Sequence, residues 1–160
     1  MATLIQPTIV SVSGGFDPLH IGHLHLMEKA KDHGDKLVVI LNDDEWLMRK
    51  KGFVFMPLKE RAEMLYGFRW VDDVVIREPR ETYDVIHMLA KLDVHIFANG
   101  GDRKTEQDIP EAQICKEKDI KMIFGVGDLD KAQASTWLIQ NFLKQVEGKI
   151  DRIKETGKAL

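Results

Sequence analysis

Apolar residues recur along this chain in two alternating registers. Short β-branched runs, TIVSVS (8 to 13), KLVVIL (36 to 41), DDVVI (72 to 76), DVHIFA (93 to 98) and IKMIFG (120 to 125), have the near-continuous apolar character of strands buried on both faces of a parallel sheet. Between them HIGHLHLMEKAKDHG, PLKERAEMLYGFRW, TYDVIHMLAKL and IPEAQICKEKD carry apolar residues at helical spacing, and STWLIQNFLKQVEG adds a fifth helix after the last strand. This βα alternation predicts a three-layer α/β fold with right-handed crossovers. Ligands of such folds sit beyond the carboxyl ends of the strands, near a topological switch point. The loops at that edge are Ser13 to Leu19, Asn42 to Met56, Asn99 to Asp108 and Val126 to Ala134.

A length of 160 residues suits one domain, expected over residues 1 to 147. The charged segment from Gly148 to Leu160 reads as a helical extension or tail. With 44% hydrophobic and 31% charged residues the chain is expected to be globular and soluble. A net charge of -3 with mixed signs gives no basic footprint for nucleic acid, although a phosphorylated small molecule needs only a local basic pocket. Cys115 is the single cysteine, so one chain can build neither a disulfide nor a cysteine metal cluster, and a reducing cytoplasm is the expected home. No run approaches the roughly 18 apolar residues of a membrane span, and the first ten residues lack the pattern of an export signal.

The first loop, SGGFDPLHIGH, carries the densest chemistry. Gly14 and Gly15 leave the backbone bare where N–H groups can approach an anion. Asp17 and Pro18 have the form of an N-cap followed by the first helical position, which would need no chemistry at all. His20 and His23 change the picture. At i and i+3 they share one face of a helix's first turn, beside the positive end of its dipole, where two imidazoles can donate to phosphoryl oxygens. Gly22 between them keeps the surface open, and His25 points about 140° away from His20. A zinc site would need a third ligand at suitable spacing.

The stretch GGFDPLHIGH resembles the G-x-F-D-x-x-H-x-G-H signature of the cytidylyltransferase-like nucleotidyltransferases, and the resemblance extends over about residues 8 to 143. It implies a Rossmann-like fold with a five-stranded parallel sheet. The implied reaction is attack of a substrate phosphate on the α-phosphorus of a nucleoside triphosphate, with release of pyrophosphate and with magnesium bound alongside the triphosphate. His20 and His23 would then contact the triphosphate, while Gly14, Gly15, Phe16, Asp17 and Gly22 shape its pocket.

The resemblance carries over to three further segments. In the second loop Arg49, Lys50 and Lys51 form either a solvated charge run or a basic flap over the triphosphate, with Lys50 and Lys51 as catalytic candidates. Arg61 matches an arginine used near nucleotide or acceptor phosphate; a surface i,i+4 ion pair is its rival reading. Gly100, Gly101 and Asp102 resemble the GGD segment of sugar-phosphate nucleotidyltransferases, with Arg103 a candidate for an acceptor phosphate. Ser135 and Thr136 either cap a helix or bind the triphosphate, or both. Many cytidylyltransferases carry an R-T-E-G-I-S-T-type segment here, whereas this chain reads GDLDKAQAST, leaving Lys131 as the basic group.

CTP and ATP both stay open. A sugar or polyol phosphate is favoured as acceptor because the NGGD loop resembles heptose-1-phosphate adenylyltransferases. An FAD synthetase or pantetheine-phosphate adenylyltransferase is the alternative enzyme, and a non-catalytic nucleotide sensor the alternative of another class. The expected partners are small molecules and, by analogy with relatives, a second subunit.

Overall fold

The computed structural model describes residues 6–100, 105–127 and 135–156. Five parallel strands form one sheet: β1 (Ile9–Gly14), β2 (Lys36–Leu41), β3 (Asp73–Ile76), β4 (Ile96–Ala98) and β5 (Lys121–Ile123), in the order β3-β2-β1-β4-β5. The order reverses between β1 and β4, so the carboxyl end of β1 faces a switch point. Six α-helices are described: α1 (Ile21–Lys31), α2 (Asp44–Lys51), α3 (Leu58–Tyr66), α4 (Ile86–Lys91), α5 (Ala112–Glu117) and α6 (Ser135–Thr156).

Alternation along β2 sorts the layers. Leu37, Val39 and Leu41 pack with Met27 and Ala30 of α1 and Leu65 of α3. Ile40, of the opposite parity, joins Met88 and Leu89 of α4 and Cys115 of α5. Helices therefore cover both faces, and this is the Rossmann-like three-layer arrangement that the βα pattern implies.

Two local departures from the sequence reading bear on the site. The stretch from Asn42 to Met56 is not all loop, because α2 occupies its middle. Asp43 caps that helix by accepting from the Trp46 N–H at 2.7 Å, Asp44 and Glu45 lie in its first turn, and Arg49, Lys50 and Lys51 in its last. These charges oppose the helix dipole in the favourable sense, and Gly52 closes the helix with φ 82°. On the next crossover, α4 starts only at Ile86. The fully buried Arg77 donates to the carbonyls of Glu78, Thr82 and Asp84, which holds residues 78 to 84 as a strapped loop. Finally, α6 runs through Gly148 without a break to Thr156, so the charged extension continues the last helix.

Candidate functional site

The loop leaving β1 is shaped by packing before it meets any ligand. A Cβ on Gly14 would lie 3.0 Å from the Phe16 ring, and one on Gly15 would lie 2.7 Å from Leu47 Cδ2. A side chain at either position would therefore have to displace Phe16 or Leu47, a constraint that turn chemistry alone does not supply. Phe16 is buried and holds φ 50°, the left-handed region that a bulky residue adopts only when its surroundings fix it.

Asp17 does not cap α1. It is fully buried, and its carboxylate accepts the backbone N–H groups of Phe55 at 2.8 Å and Met56 at 2.6 Å. The N-cap is His20, in extended conformation, whose Nδ1 accepts from the Gly22 N–H at 3.1 Å. That bond leaves the proton of a neutral His20 on Nε2. The Gly22 N–H at the start of α1 is thereby satisfied within the protein.

His23 stacks on His20 with ring centroids 3.7 Å apart and an interplanar angle of 24°, and meets the Phe16 ring edge-on at 5.0 Å. The first turn is thus half-buried. Among the described residues His23 Nδ1 has no hydrogen-bond partner. Burial first, then His20, then Lys51 drive the His23 pKa down to about 3, and burial followed by Lys51 lowers that of His20. Both rings are held neutral at neutral pH. His25 is exposed, as its angular position predicts.

The two lysines of α2 separate cleanly. Lys51 Nζ donates to the Asp17 carbonyl at 2.9 Å, facing the imidazoles whose pKa values it lowers. Its own pKa is lowered, mainly by burial and further by Lys50 and Arg61, against an opposing pull from Asp17. Lys50 Nζ instead lies 4.5 Å from the centroid of the Trp46 ring.

Arg61 departs from both readings of it. It is fully buried, so it forms no surface pair and presents no accessible face to a phosphate. Its guanidinium donates to Gly15 O at 2.6 Å, Asn42 O at 2.8 Å, Met56 O at 2.9 Å and Asp44 Oδ1 at 2.5 Å. One side chain thus joins the phosphate-loop candidate, the end of β2, the start of α2 and the α2–α3 connection.

Gly100 lies at the end of β4, where a Cβ would come within 3.0 Å of both Leu26 and the Val126 carbonyl. Gly101, Asp102, Arg103 and Lys131 lie outside the described residues. Ser135 does not act as an N-cap: it is the first residue of α6, and its hydroxyl donates to the Pro18 carbonyl at 3.0 Å, while Thr136 is exposed. Beside that bond Pro18, Phe55, Leu138, Ile139 and Phe142 line an apolar hollow of about 190 Å³. Among the described residues no three His, Cys, Asp or Glu side chains converge to hold a metal, and no helix is long and apolar enough to cross a membrane.

Sequence reasoning passed over Arg77, whose guanidinium lies 3.6 Å from the buried Asp43 carboxylate, and Gly127, whose φ is 80°. The G-x-G of residues 125 to 127 was a usable signal for the second. Nothing in the spacing marks Arg77.

A Rossmann-like sheet with an imidazole pair on the helix after its first strand defines a class of nucleotide-handling α/β proteins. Within that class the chain belongs to the cytidylyltransferase-like family, whose pattern matches residues 12–145. It is 43% identical over 95 residues to an FAD synthase of Pyrococcus abyssi, covering 59% of this chain and 63% of that protein. It is 50% identical over 74 residues to the bifunctional protein HldE of Helicobacter hepaticus, covering 45% of this chain and 15% of that one. Among solved structures it is similar to a lipopolysaccharide core biosynthesis protein from Thermoplasma volcanium, with a TM-score of 0.64 and 25% identity over 78% of this chain and all of that one. The chain thus spans less than two thirds of the curated relatives named here.

Proposed function

We propose that this chain transfers a nucleoside monophosphate from CTP or ATP to a phosphorylated sugar or polyol, releasing pyrophosphate. The observation that carries the reading is the stack of His20 on His23 with the Lys51 ammonium beside it. An oxygen of the acceptor phosphate attacks the α-phosphorus, the bond from that phosphorus to the bridging oxygen of the β-phosphate breaks, and pyrophosphate leaves with the electron pair. Negative charge grows on the equatorial oxygens and the leaving group. The His20 Nε2–H and the His23 ring donate there, and Lys51 supplies the cation. Magnesium would enter with the triphosphate and neutralise part of its charge, with no side chain of this chain assigned as its ligand. Gly100 to Arg103, together with Ser135 and Thr136, complete the nucleotide pocket on this reading.

The sugar-phosphate preference is supported by the likeness to HldE and to the lipopolysaccharide core biosynthesis protein. The FAD synthase likeness favours a second reading, adenylyl transfer from ATP to a flavin phosphate. One pyrophosphate-release screen tests both, crossing four nucleoside triphosphates with sugar, polyol, amino-alcohol, flavin and pantetheine phosphates. Turnover with a sugar or polyol phosphate is the expected result, and turnover with the flavin phosphate alone selects the second reading. Nucleotide binding without pyrophosphate from any acceptor overturns both in favour of a sensor.

A further inference from the structure

Helix α2 is held on two sides. At about 100° per residue Asp44, Leu47 and Lys51 fall within about 60° of one another, and all three serve the first loop. Asp44 pairs with Arg61, Leu47 lies where a side chain on Gly15 would go, and Lys51 donates to the Asp17 carbonyl. Trp46 and Arg49 lie about 160° away and meet the segment from Glu78 to Asp84. The Trp46 indole donates to the Tyr83 carbonyl at 3.1 Å, and the Arg49 guanidinium donates to the Arg80 carbonyl. Tyr83 sits between them, its ring edge-on to Trp46 at 6.0 Å and its centroid 5.8 Å from the Arg49 guanidinium.

The segment that receives these bonds does not hold itself. It has no regular secondary structure, and residues 78 to 83 are exposed. Arg77, fully buried just after β3, fixes it: three guanidinium nitrogens donate to the carbonyls of Glu78, Asp84 and Thr82. With Arg80 and Tyr83, five of the seven carbonyls from 78 to 84 accept from Arg77 or from α2. The same guanidinium lies 3.6 Å from Asp43 Oδ2, a buried atom with no hydrogen-bond partner, while Asp43 Oδ1 caps α2. A buried carboxylate oxygen in that position needs an opposite charge, and Arg77 supplies it. Helix α2 has eight residues and buries only Trp46 and Leu47, too little to be set by its own stability. Its lateral contacts decide how it lies.

We propose that Arg77 is a positioning residue: through Asp43 and the carbonyls of residues 78 to 84 it sets the rotation of α2 about its axis, and with it the aim of the Lys51 ammonium at the imidazole pair. This rests on the role given to Lys51 in nucleotidyl transfer. Arg77 itself touches no substrate, being fully buried with all three nitrogens engaged. Its effect on rate follows because a misplacement of about 1 Å in a positioned group costs about 10²-fold.

A double-mutant cycle on the full chain tests this. Arg77→Met should lower kcat about tenfold alone but less than about twofold in the Lys51→Met background, because an ammonium already removed cannot be misaimed. Asp43→Asn keeps the helix cap and removes the charge facing Arg77. It should show a smaller loss with the same dependence on Lys51, and it carries the cycle if Arg77→Met does not fold. Lys91→Met frees the same segment on its outer side, where Lys91 bonds the Glu78 carboxylate at 2.7 Å, and should leave kcat unchanged. Losses that multiply between the Arg77 and Lys51 variants overturn the proposal, as does an equal loss in Lys91→Met. NMR titration of the imidazoles reads the same movement without turnover. Burial first and Lys51 next lower the His20 pKa, so Lys51→Met should raise it and Arg77→Met should raise it too. A His20 pKa that moves in Lys51→Met but in neither Arg77→Met nor Asp43→Asn overturns the positioning. Movement in both Lys51→Met and Arg77→Met, with kcat of Lys51→Met unchanged, leaves the positioning standing and refutes the catalytic role of Lys51.

Discussion

On the β1–β2–β3 side of the carboxyl edge the loops are tied together by buried charge, whereas on the β4–β5 side bare backbone is pressed against α1. The first side has Asp17, Arg61 and Arg77, all fully buried and each bonded to main-chain groups of a loop. The second side has Gly100 and Gly127, where added Cβ atoms would strike Leu26. Strand pairing differs in the same sense: β1 pairs with β2 from Ile9 to Gly14, but with β4 only at Val10 and Ser11. Directional bonds set loop positions individually, while contact packing sets a separation between two backbones. Among the described residues the side that carries Lys51 and the imidazole pair holds most of these directional bonds, while on the other side buried Glu111 accepts from the Val85 N–H at 3.1 Å.

The largest effect is expected where one bond set joins most segments. Arg61→Ala removes the donor shared by Gly15, Asn42 and Met56 and one of the partners of Asp44, which also accepts from the Leu58 N–H, and should cost about 3 to 5 kcal/mol. For a chain of this size that is a fall of roughly 10 °C or more in Tm. Arg61→Lys should recover little, because an ammonium cannot reproduce the fork of donors. A thermal midpoint within a few degrees of wild type would contradict the strap.

Gly127→Ala tests the other side. Its Cβ would lie 2.5 Å from Leu26 Cα, and its φ of 80° is left-handed, so a loss of about 2 to 4 kcal/mol is expected. Gly125→Ala separates the two causes. At φ 66° with nothing within 4 Å, it should cost only the conformational penalty of about 1 to 2 kcal/mol. Equal losses in denaturant titrations of the two variants would remove the packing half of the contrast.

Next comes a substitution expected to act on rate. His20→Ala or His23→Ala should lower kcat on the order of 10² or more, about 2.7 kcal/mol of barrier, with Tm changed by a few degrees. Lys51→Met should do likewise while Lys50→Met does much less, because Lys51 faces the rings and Lys50 lies over Trp46. Steady-state kinetics on the acceptor found in the screen decides it, and unchanged kcat in both histidine variants would sink the mechanism.

The sheet, its parallel pairing and the first loop were legible because they depend on period and on short-range spacing. The apolar pattern does not mark helix α2, although its other signals are present: acids at Asp44 and Glu45, bases at Arg49 to Lys51, then Gly52. Those are capping and dipole signals, and the apolar period between them is too weak to point to a helix. The true partners of Asp17 and Arg61 could not be read from the chain. Asp17 bonds residues 38 and 39 positions away and Arg61 reaches back 46, so both depend on how α2 and α3 fold over the first loop. An Asp-Pro before a helix looks like a cap until a competing pair of N–H groups is brought in from elsewhere. Choosing between Lys50 and Lys51 needed the angular setting of α2 against the sheet.

The pH dependence places a further effect on the imidazole side. An imidazole in an unfolded chain titrates near 6.5, whereas folding drives His23 to about 3. Between those values the unfolded chain binds a proton that the folded chain refuses, so His23 lowers stability progressively as pH falls from about 6.5 toward 3. At pH 5 the loss is about 2 kcal/mol, and the lowered pKa of His20 acts in the same direction. His23→Phe keeps a ring against Phe16 and His20 but cannot titrate, so its stability should change less between pH 7.5 and pH 5 in matched denaturant titrations. An equal change in both proteins would mean that His23 titrates normally. Pyrophosphate sharpens the test, because an anion beside the rings favours their protonated form and binds more tightly as they gain protons. Saturating pyrophosphate should therefore shrink the acid loss in the wild type more than in His23→Phe, which couples the buried rings to phosphate without requiring turnover.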